Sequence, residues 1–163
     1  YLYFVRFTNG NVIWCAELKD NLKEIKEETL TQCIEAVEPW EMVFGKVAEG
    51  PSILKRDGLY YLLYSANDFR SQDYAVGYAT SDSPFGPWKK NSKNPLLHKV
   101  DELVGTGHGA PFADKDGNLR YVFHAHKSQT EVNQRNSYIV DMSLSGKDQV
   151  SIGGRLIHPA VVK

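Results

Sequence analysis

Neither sign of charge is in excess in this 163-residue chain: 19 lysines and arginines stand against 20 aspartates and glutamates, a net charge of -1. That balance leaves no counterion-releasing basic surface for nucleic acid and no polybasic patch for a membrane. Long apolar runs are missing too, since no stretch approaches the roughly 20 residues of a bilayer span. With 42% hydrophobic and 24% charged residues, the composition also excludes a disordered chain. Cysteine is scarce: Cys15 and Cys33 form neither a C-x-x-C pair nor a zinc-spaced set. They read as two free, partly buried thiols or as one disulfide, so the redox compartment stays open. Tyr1-Leu2-Tyr3-Phe4-Val5 enters directly as an apolar strand, without methionine, charged n-region or small-residue cleavage site. No address is legible there, the localisation stays unknown, and the start reads as cut from something upstream.

What the chain does have is aromatic residues, 12% of it, with nine tyrosines and three tryptophans. These fit β-strands, and they also fit flat, uncharged ligands such as sugars. It also has an internal repeat. Glu49-Gly50-Pro51-Ser52-Ile53-Leu54-Lys55-Arg56-Asp57-Gly58, followed by Tyr60-Tyr61-Leu62-Leu63-Tyr64-Ser65, returns as His108-Gly109-Ala110-Pro111-Phe112-Ala113-Asp114-Lys115-Asp116-Gly117, followed by Arg120-Tyr121-Val122-Phe123-His124-Ala125. The period is about 59 residues. Each copy reads as strand, tight Asp-Gly turn, strand. A further strand follows in each, at Tyr74–Ala79 and at Ser137–Met142, so one more outer strand would complete a four-stranded antiparallel unit. Counting back one period from Tyr60 reaches Tyr1, which makes Tyr1–Phe7, the turn Thr8-Asn9-Gly10-Asn11 and Val12–Ala16 the tail of an earlier copy.

Four-stranded units at this spacing point to an all-β fold, a β-propeller. Residues 1–45 would be the end of one blade, 46–104 the next and 105–163 the one after. Asp20 to Glu38 has the apolar spacing of an amphipathic helix, but its place in a blade is that of the outer strands, and Thr29–Ile34 is expected as strand. Ser83-Pro84-Phe85-Gly86-Pro87-Trp88 is a turn cluster leading into an outer strand. In a propeller the first residues of the inner strands line the central pocket. The repeat puts Glu49 and His108 at equivalent inner-strand starts, so a carboxylate and an imidazole lie within reach of one ligand; the bland alternative for Glu49 is a solvated strand-end charge. His124 and His126, two apart on a strand, are expected to share one face, either toward the axis or packed between blades. Asp57 and Asp116 are turn residues, while Asp68, Asp73 and Asp82 sit in loops, so none is a good second catalytic carboxylate.

Pro39-Trp40-Glu41, Glu49-Gly50-Pro51, Gly58 to Asn67, Tyr74 to Ala79, Gly86-Pro87-Trp88 and Gly105-Thr106-Gly107-His108-Gly109, in this order, resemble glycoside hydrolase family 43 over almost the whole chain. The resemblance implies a five-bladed propeller, of which this chain would supply about the last two and a half blades. It further implies an inverting glycosidase acting on xylan- or arabinan-type oligo- or polysaccharides of plant type. Glu49 matches the general acid, whose pKa a narrow pocket beside other carboxylates would raise. His108 matches an axial histidine that holds a hydrated calcium ion or contacts sugar; a hydrogen-bonding strand-end histidine is the alternative. Calcium prefers oxygen ligands, so such a site would be structural, and no cofactor is required for the chemistry. Arg135 matches an arginine that reaches substrate or acid, against a solvated loop arginine. Trp40 is either a sugar-stacking wall or a packed loop tryptophan.

Inversion needs a second carboxylate about 6.5–9.5 Å from the first. The family's base and its pKa-tuning aspartate are expected upstream of Tyr1, so the chain alone should not hydrolyse aryl glycosides. The ring would be closed by the missing blades or by a second copy. Two alternatives remain: a non-catalytic carbohydrate-binding propeller, and a five-bladed glycosidase of fructan type.

Overall fold

The computed structural model describes residues 1–160, so positions 161–163 of the expected last blade lie outside the described residues. Three sheets account for the strands. The first contains β1 (Leu2–Phe7), β2 (Asn11–Ala16) and β3 (Thr31–Ile34). The second runs β4 (Ala48–Arg56), β5 (Leu59–Ala66), β6 (Ala75–Ser81) and β7 (Lys89–Lys90). The third runs β8 (Gly107–Ala113), β9 (Leu119–Ala125), β10 (Asn136–Leu144) and β11 (Val150–Ile157). Within each sheet, neighbours in sequence are neighbours in space and pair antiparallel, the meander expected of propeller blades. Among the described residues there is no α-helix.

Turn chemistry separates the two copies of the hairpin. Between β4 and β5, Asp57 and Gly58 both adopt positive φ (50° and 80°), the two-residue turn that Asp-Gly favours. Between β8 and β9 the expected tight Asp116-Gly117 turn is instead a longer loop, Asp114 to Asn118. The Asp114 side chain accepts from the backbone N–H of Asp116 and of Asn118, at 2.9 Å each, and only Gly117 takes positive φ, 82°. The extra residues provide room for that side-chain-anchored turn, so the second Asp-Gly does not form a two-residue hairpin.

The segment Asp20–Glu38 is turn, one short 3-10 turn at Glu27–Thr29, and strand, which begins at Thr31 rather than Thr29. Lys19 and Lys26 donate backbone N–H groups to the carbonyls of Glu24 and Glu17, closing a small hairpin, and β3 then pairs with β2. Asn21 accepts the Lys23 N–H with its side chain, a local bond that competes with helix.

Two cores hold the sheets face to face. Ile13, Ile34 and Ala36 of the first sheet region meet Leu62, Tyr64, Ala66 and Ala79 of the second. Tyr61, Leu63, Val76 and Tyr78, on the opposite face of that sheet, meet Tyr121, Phe123, Tyr138 and Val140 of the third. Between the first two sheets lies Glu41, fully buried. Its carboxylate accepts from Lys90 Nζ and the Tyr64 hydroxyl, both at 2.6 Å, and from the backbone N–H groups of Val37 and Glu38 at 2.7 and 2.8 Å. A buried carboxylate is tolerable because both of its oxygens have donors, one of them a cation. The result is to pin the segment that leads into β4, and so to fix where that inner strand begins.

Candidate active site

Both inner strands are interrupted at the same place. The β4–β5 register shifts between Glu49 and Ser52, and the β8–β9 register shifts between Gly107 and Ala110. Such bulges re-aim side chains at the rims of sheets. The first is made possible by Gly50, at φ 58°. In the second His108 itself adopts φ 49°, a conformation costing a non-glycine residue roughly 1–2 kcal/mol. Its N–H is held there by the Ser65 hydroxyl at 2.7 Å. A side chain at Gly50 would touch the His108 ring, at 3.4 Å, so the two bulges bring Glu49 and His108 together as the repeat suggested. His108 Nδ1 stands 3.8 Å from Glu49 Oε1.

The Glu49 side chain is 19% exposed and both of its oxygens are occupied. Oε1 accepts from the Tyr74 hydroxyl at 2.8 Å; Oε2 accepts from Asn11 Nδ2, across from the first sheet, at 3.1 Å. Burial pushes the carboxyl upward, but the proximity of His108 and the bonds from Tyr74 and Asn11 together outweigh it and leave its pKa below the ordinary value. The expected rise is therefore not met in this chain, because donors surround Glu49. Among the described residues no other carboxylate shares a hydrogen bond with it, and its nearest ionisable neighbour is a histidine, with no lysine or arginine paired to it.

Beyond His108 the His124 ring continues a stack, 6.3 Å from His108 and 5.7 Å from Tyr74, nearly parallel to the latter at 10°. Arg135 donates from its guanidinium to His124 Nε2 at 2.9 Å and lies 4.8 Å over the Phe69 ring. Burial, then the Arg135 charge, push the His124 pKa down to about 4, so the ring stays neutral. Arg135 thus reaches His124 rather than the acid. A cavity of about 370 Å³ opens beside the two rings, bounded by Gly50, Pro51, Gly109 and Val122. His126 parts company with His124: β9 ends at Ala125, alternation stops, and His126 is buried against Gly105, donating to the Phe69 carbonyl at 2.8 Å.

Trp40 is placed elsewhere. Its ring lies 6.0 Å from Tyr64 and beside Gly77, packed on the core between the first two sheets. Calcium takes six to eight oxygen ligands, and among the described residues no three His, Cys, Asp or Glu side chains gather to cage an ion; a hydrated ion resting on the His108 imidazole through waters would need no such cage.

Two residues that touch Glu49, Tyr74 and Asn11, escape a reading by sequence. Tyr74 reads simply as the head of a strand and Asn11 as a turn residue. A signal for Tyr74 did exist: it precedes Ala75, which pairs with Ala66, just as Arg135 precedes Asn136, which pairs with Ala125. The repeat therefore makes Tyr74 the counterpart of a residue already singled out.

Comparison with known proteins agrees with this fold. An endo-1,4-beta-xylanase from Bacteroides thetaiotaomicron is 58% identical and superposes with a TM-score of 0.95, over 99% of this chain and 56% of that one. A beta-D-galactofuranosidase of Aspergillus niger is 29% identical over 124 residues, 76% of this chain and 33% of that protein. An extracellular exo-alpha-(1->5)-L-arabinofuranosidase of Streptomyces chartreusis is 36% identical over 94 residues, 53% of this chain and 28% of that protein. The chain thus spans about a third of these curated relatives and about half of the xylanase structure. The family model for glycosyl hydrolases family 43 matches residues 1–147. With its three sheets as consecutive blades of a five-bladed propeller, the chain belongs to glycosyl hydrolases family 43.

Proposed function

We propose that the protein is an inverting glycosidase of xylan- or arabinan-type oligo- or polysaccharides, with Glu49 as its general acid. One observation carries the reading: a mostly buried carboxylate, at the head of an axial strand, bonded through both oxygens to Tyr74 and Asn11 without a lysine or arginine partner. A carboxylate locked to a fixed cation stays ionised, whereas one held by a hydroxyl and an amide can still take up a proton and give it away. In this reading Glu49 transfers its proton to the leaving oxygen as the bond from the anomeric carbon breaks and the electron pair moves to that oxygen. Water adds to the opposite face, keeping one hydrogen as the new anomeric hydroxyl and giving one proton to a carboxylate base about 6.5–9.5 Å from Glu49. That base, and an aspartate that lifts the Glu49 pKa into working range, are supplied from outside these 163 residues. His108 lines the cavity and Arg135 is bonded to the ring of His124, which also lines it; together they offer donors and an acceptor suited to sugar hydroxyls. The relatives' names specify xylan, arabinofuranoside and galactofuranoside chemistry, all neutral sugars, which agrees with the balanced charge.

The test uses the complete encoded protein on aryl xylosides, arabinofuranosides and galactofuranosides, with the product anomer read by NMR. Glu49→Gln is expected to lower kcat by about 10²–10⁴-fold, the usual range for losing a general acid. The 163-residue chain alone is expected to show no turnover; Glu49-dependent turnover by it would refute the external base. A second reading, a carbohydrate-binding propeller, is favoured by the depressed Glu49 pKa, since an ionised Glu49 is a good acceptor for a sugar hydroxyl. Calorimetric binding of xylo- or arabino-oligosaccharides by the complete protein without hydrolysis would select it.

A further inference from the structure

Tyr74 stands at the junction of everything at this site. It is fully buried at the head of β6. Its hydroxyl lies 2.8 Å from Glu49 Oε1 and 3.3 Å from His108 Nδ1. A single hydroxyl proton cannot serve both. The shorter contact and the stronger acceptor are the carboxylate oxygen, so the hydroxyl donates to Glu49 and its lone pair accepts from His108 Nδ1–H. The phenol is kept protonated for this by burial, which pushes its pKa upward. Its ring is also clamped. One side lies against the Gly107 backbone, where a Cβ would come within 2.3 Å of the ring; His124 is stacked nearly parallel to it, with the ring centres 5.7 Å apart. The hydroxyl therefore has one position, set by the third sheet as much as by its own.

We propose that Tyr74 is a positioning residue for the acid: by holding Glu49 Oε1 as an acceptor, it assigns the transferable proton to Oε2, and by accepting from His108 Nδ1 it turns the His108 Nε2 lone pair toward the cavity. The first half follows from counting. Oε1 accepts from Tyr74 whether or not Glu49 is protonated, so a proton gained by the carboxyl resides on Oε2, where Asn11 Nδ2 leaves one lone pair free. The second half fixes a tautomer: with hydrogen on Nδ1, Nε2 is an acceptor for a sugar hydroxyl. The proposal rests on the reading of Glu49 as general acid, and its test is built to fail separately from that reading.

In the complete encoded protein, Tyr74→Phe keeps the ring and removes the hydroxyl. Two substrates with the same sugar are compared, one with a dinitrophenyl leaving group that departs with little protonation and one with a methyl or sugar leaving group that requires it. The expected result is a fall in kcat of about 10–100-fold on the second substrate, the size of a lost bond to a charged group. KM and the rate on the first should stay within about threefold, the two kcat effects separating as an acid-positioning role requires. Equal losses on both substrates, or no loss on either, would overturn the proposal. Glu49→Gln serves as the reference. If it shows the same leaving-group selectivity while Tyr74→Phe does not, the positioning role is refuted and the acid survives; if Glu49→Gln affects neither substrate, the acid reading fails and Tyr74 with it. Independently of activity, ¹⁵N NMR of the His108 ring is expected to show Nδ1 protonated in the wild type and to lose that preference in Tyr74→Phe. Nε2 protonated in the wild type would also overturn the proposal.

Discussion

The second and third sheets are copies of one unit, yet they are built to different rules of burial. Along β5 and β6 nearly every residue is buried, whereas along β9 and β10 buried and half-exposed residues alternate. The cause is position. The second sheet has a neighbour on each face and so reads as a continuous apolar run, Tyr60-Tyr61-Leu62-Leu63-Tyr64; the third packs one face on the second and so alternates, as in Tyr121-Val122-Phe123-His124. Chemistry follows the same division. The enclosed sheet supplies the acid and its tyrosine, and the half-covered one supplies the histidines that border the open cavity and the arginine bonded to one of them.

The sharpest way to break this comparison is through charge, measured by urea unfolding of the 163-residue chain. Lys90→Met leaves Glu41 buried without its cation and is expected to cost about 3–5 kcal/mol. The third sheet's closest parallel is Arg120, ion-paired with Asp114 and Asp141 at partly exposed positions. Arg120→Met is expected to cost no more than about 1 kcal/mol. Next come matched core positions: Leu63→Ala, fully buried, is expected to cost about 2–5 kcal/mol. Val122→Ala, one repeat later on the half-covered face, should cost under about 1 kcal/mol. A Val122 cost near that of Leu63 would mean that something covers that face in solution. The turn glycines should erase the difference, since Gly58 (φ 80°) and Gly117 (φ 82°) both have open space where a Cβ would go. Alanine at either is expected to cost about 1–2 kcal/mol, from backbone strain alone.

A further effect is one of pH. His124 occupies the repeat position of Ser65, and burial with the neighbouring Arg135 lowers its pKa to about 4 from an unfolded value near 6.5. Folding thus favours the neutral ring: the contribution is complete above pH 6.5 and is lost as pH falls toward 4. His124→Ser, which installs the residue of the other copy, is expected to flatten that part of the stability profile; an unchanged slope would place the titration elsewhere.

Much of this architecture is legible in the residues themselves. The 59-residue recurrence identifies the strands and puts Glu49 and His108 at equivalent positions, because β-strand pairing repeats with the sequence that encodes it. What stays hidden is what depends on contact between sheets. The bond from Asn11 to Glu49 spans two sheets and 38 residues, Glu41 looks like any surface glutamate until Lys90 and Tyr64 close over it, and Trp40 is an open choice until Gly77 is seen to make room for it. Local pattern specifies strands and turns; it carries no record of which side chains meet once faces are stacked.

Asn11 holds the second sheet through its side chain on Glu49 and the segment leading into it through its backbone N–H on the Lys46 carbonyl at 3.1 Å, while Tyr74, on the other side of Glu49, is wedged by the third sheet. Three sheets therefore have to be seated in register before the carboxylate acquires its full set of donors. A chain with every strand formed but one sheet slipped by a residue would keep its secondary structure and lose the acid's surroundings. The ionisation of Glu49 is in that sense a proofreading signal for assembly: it reports that neighbouring blades have docked correctly, an event that circular dichroism of the strands alone would not register.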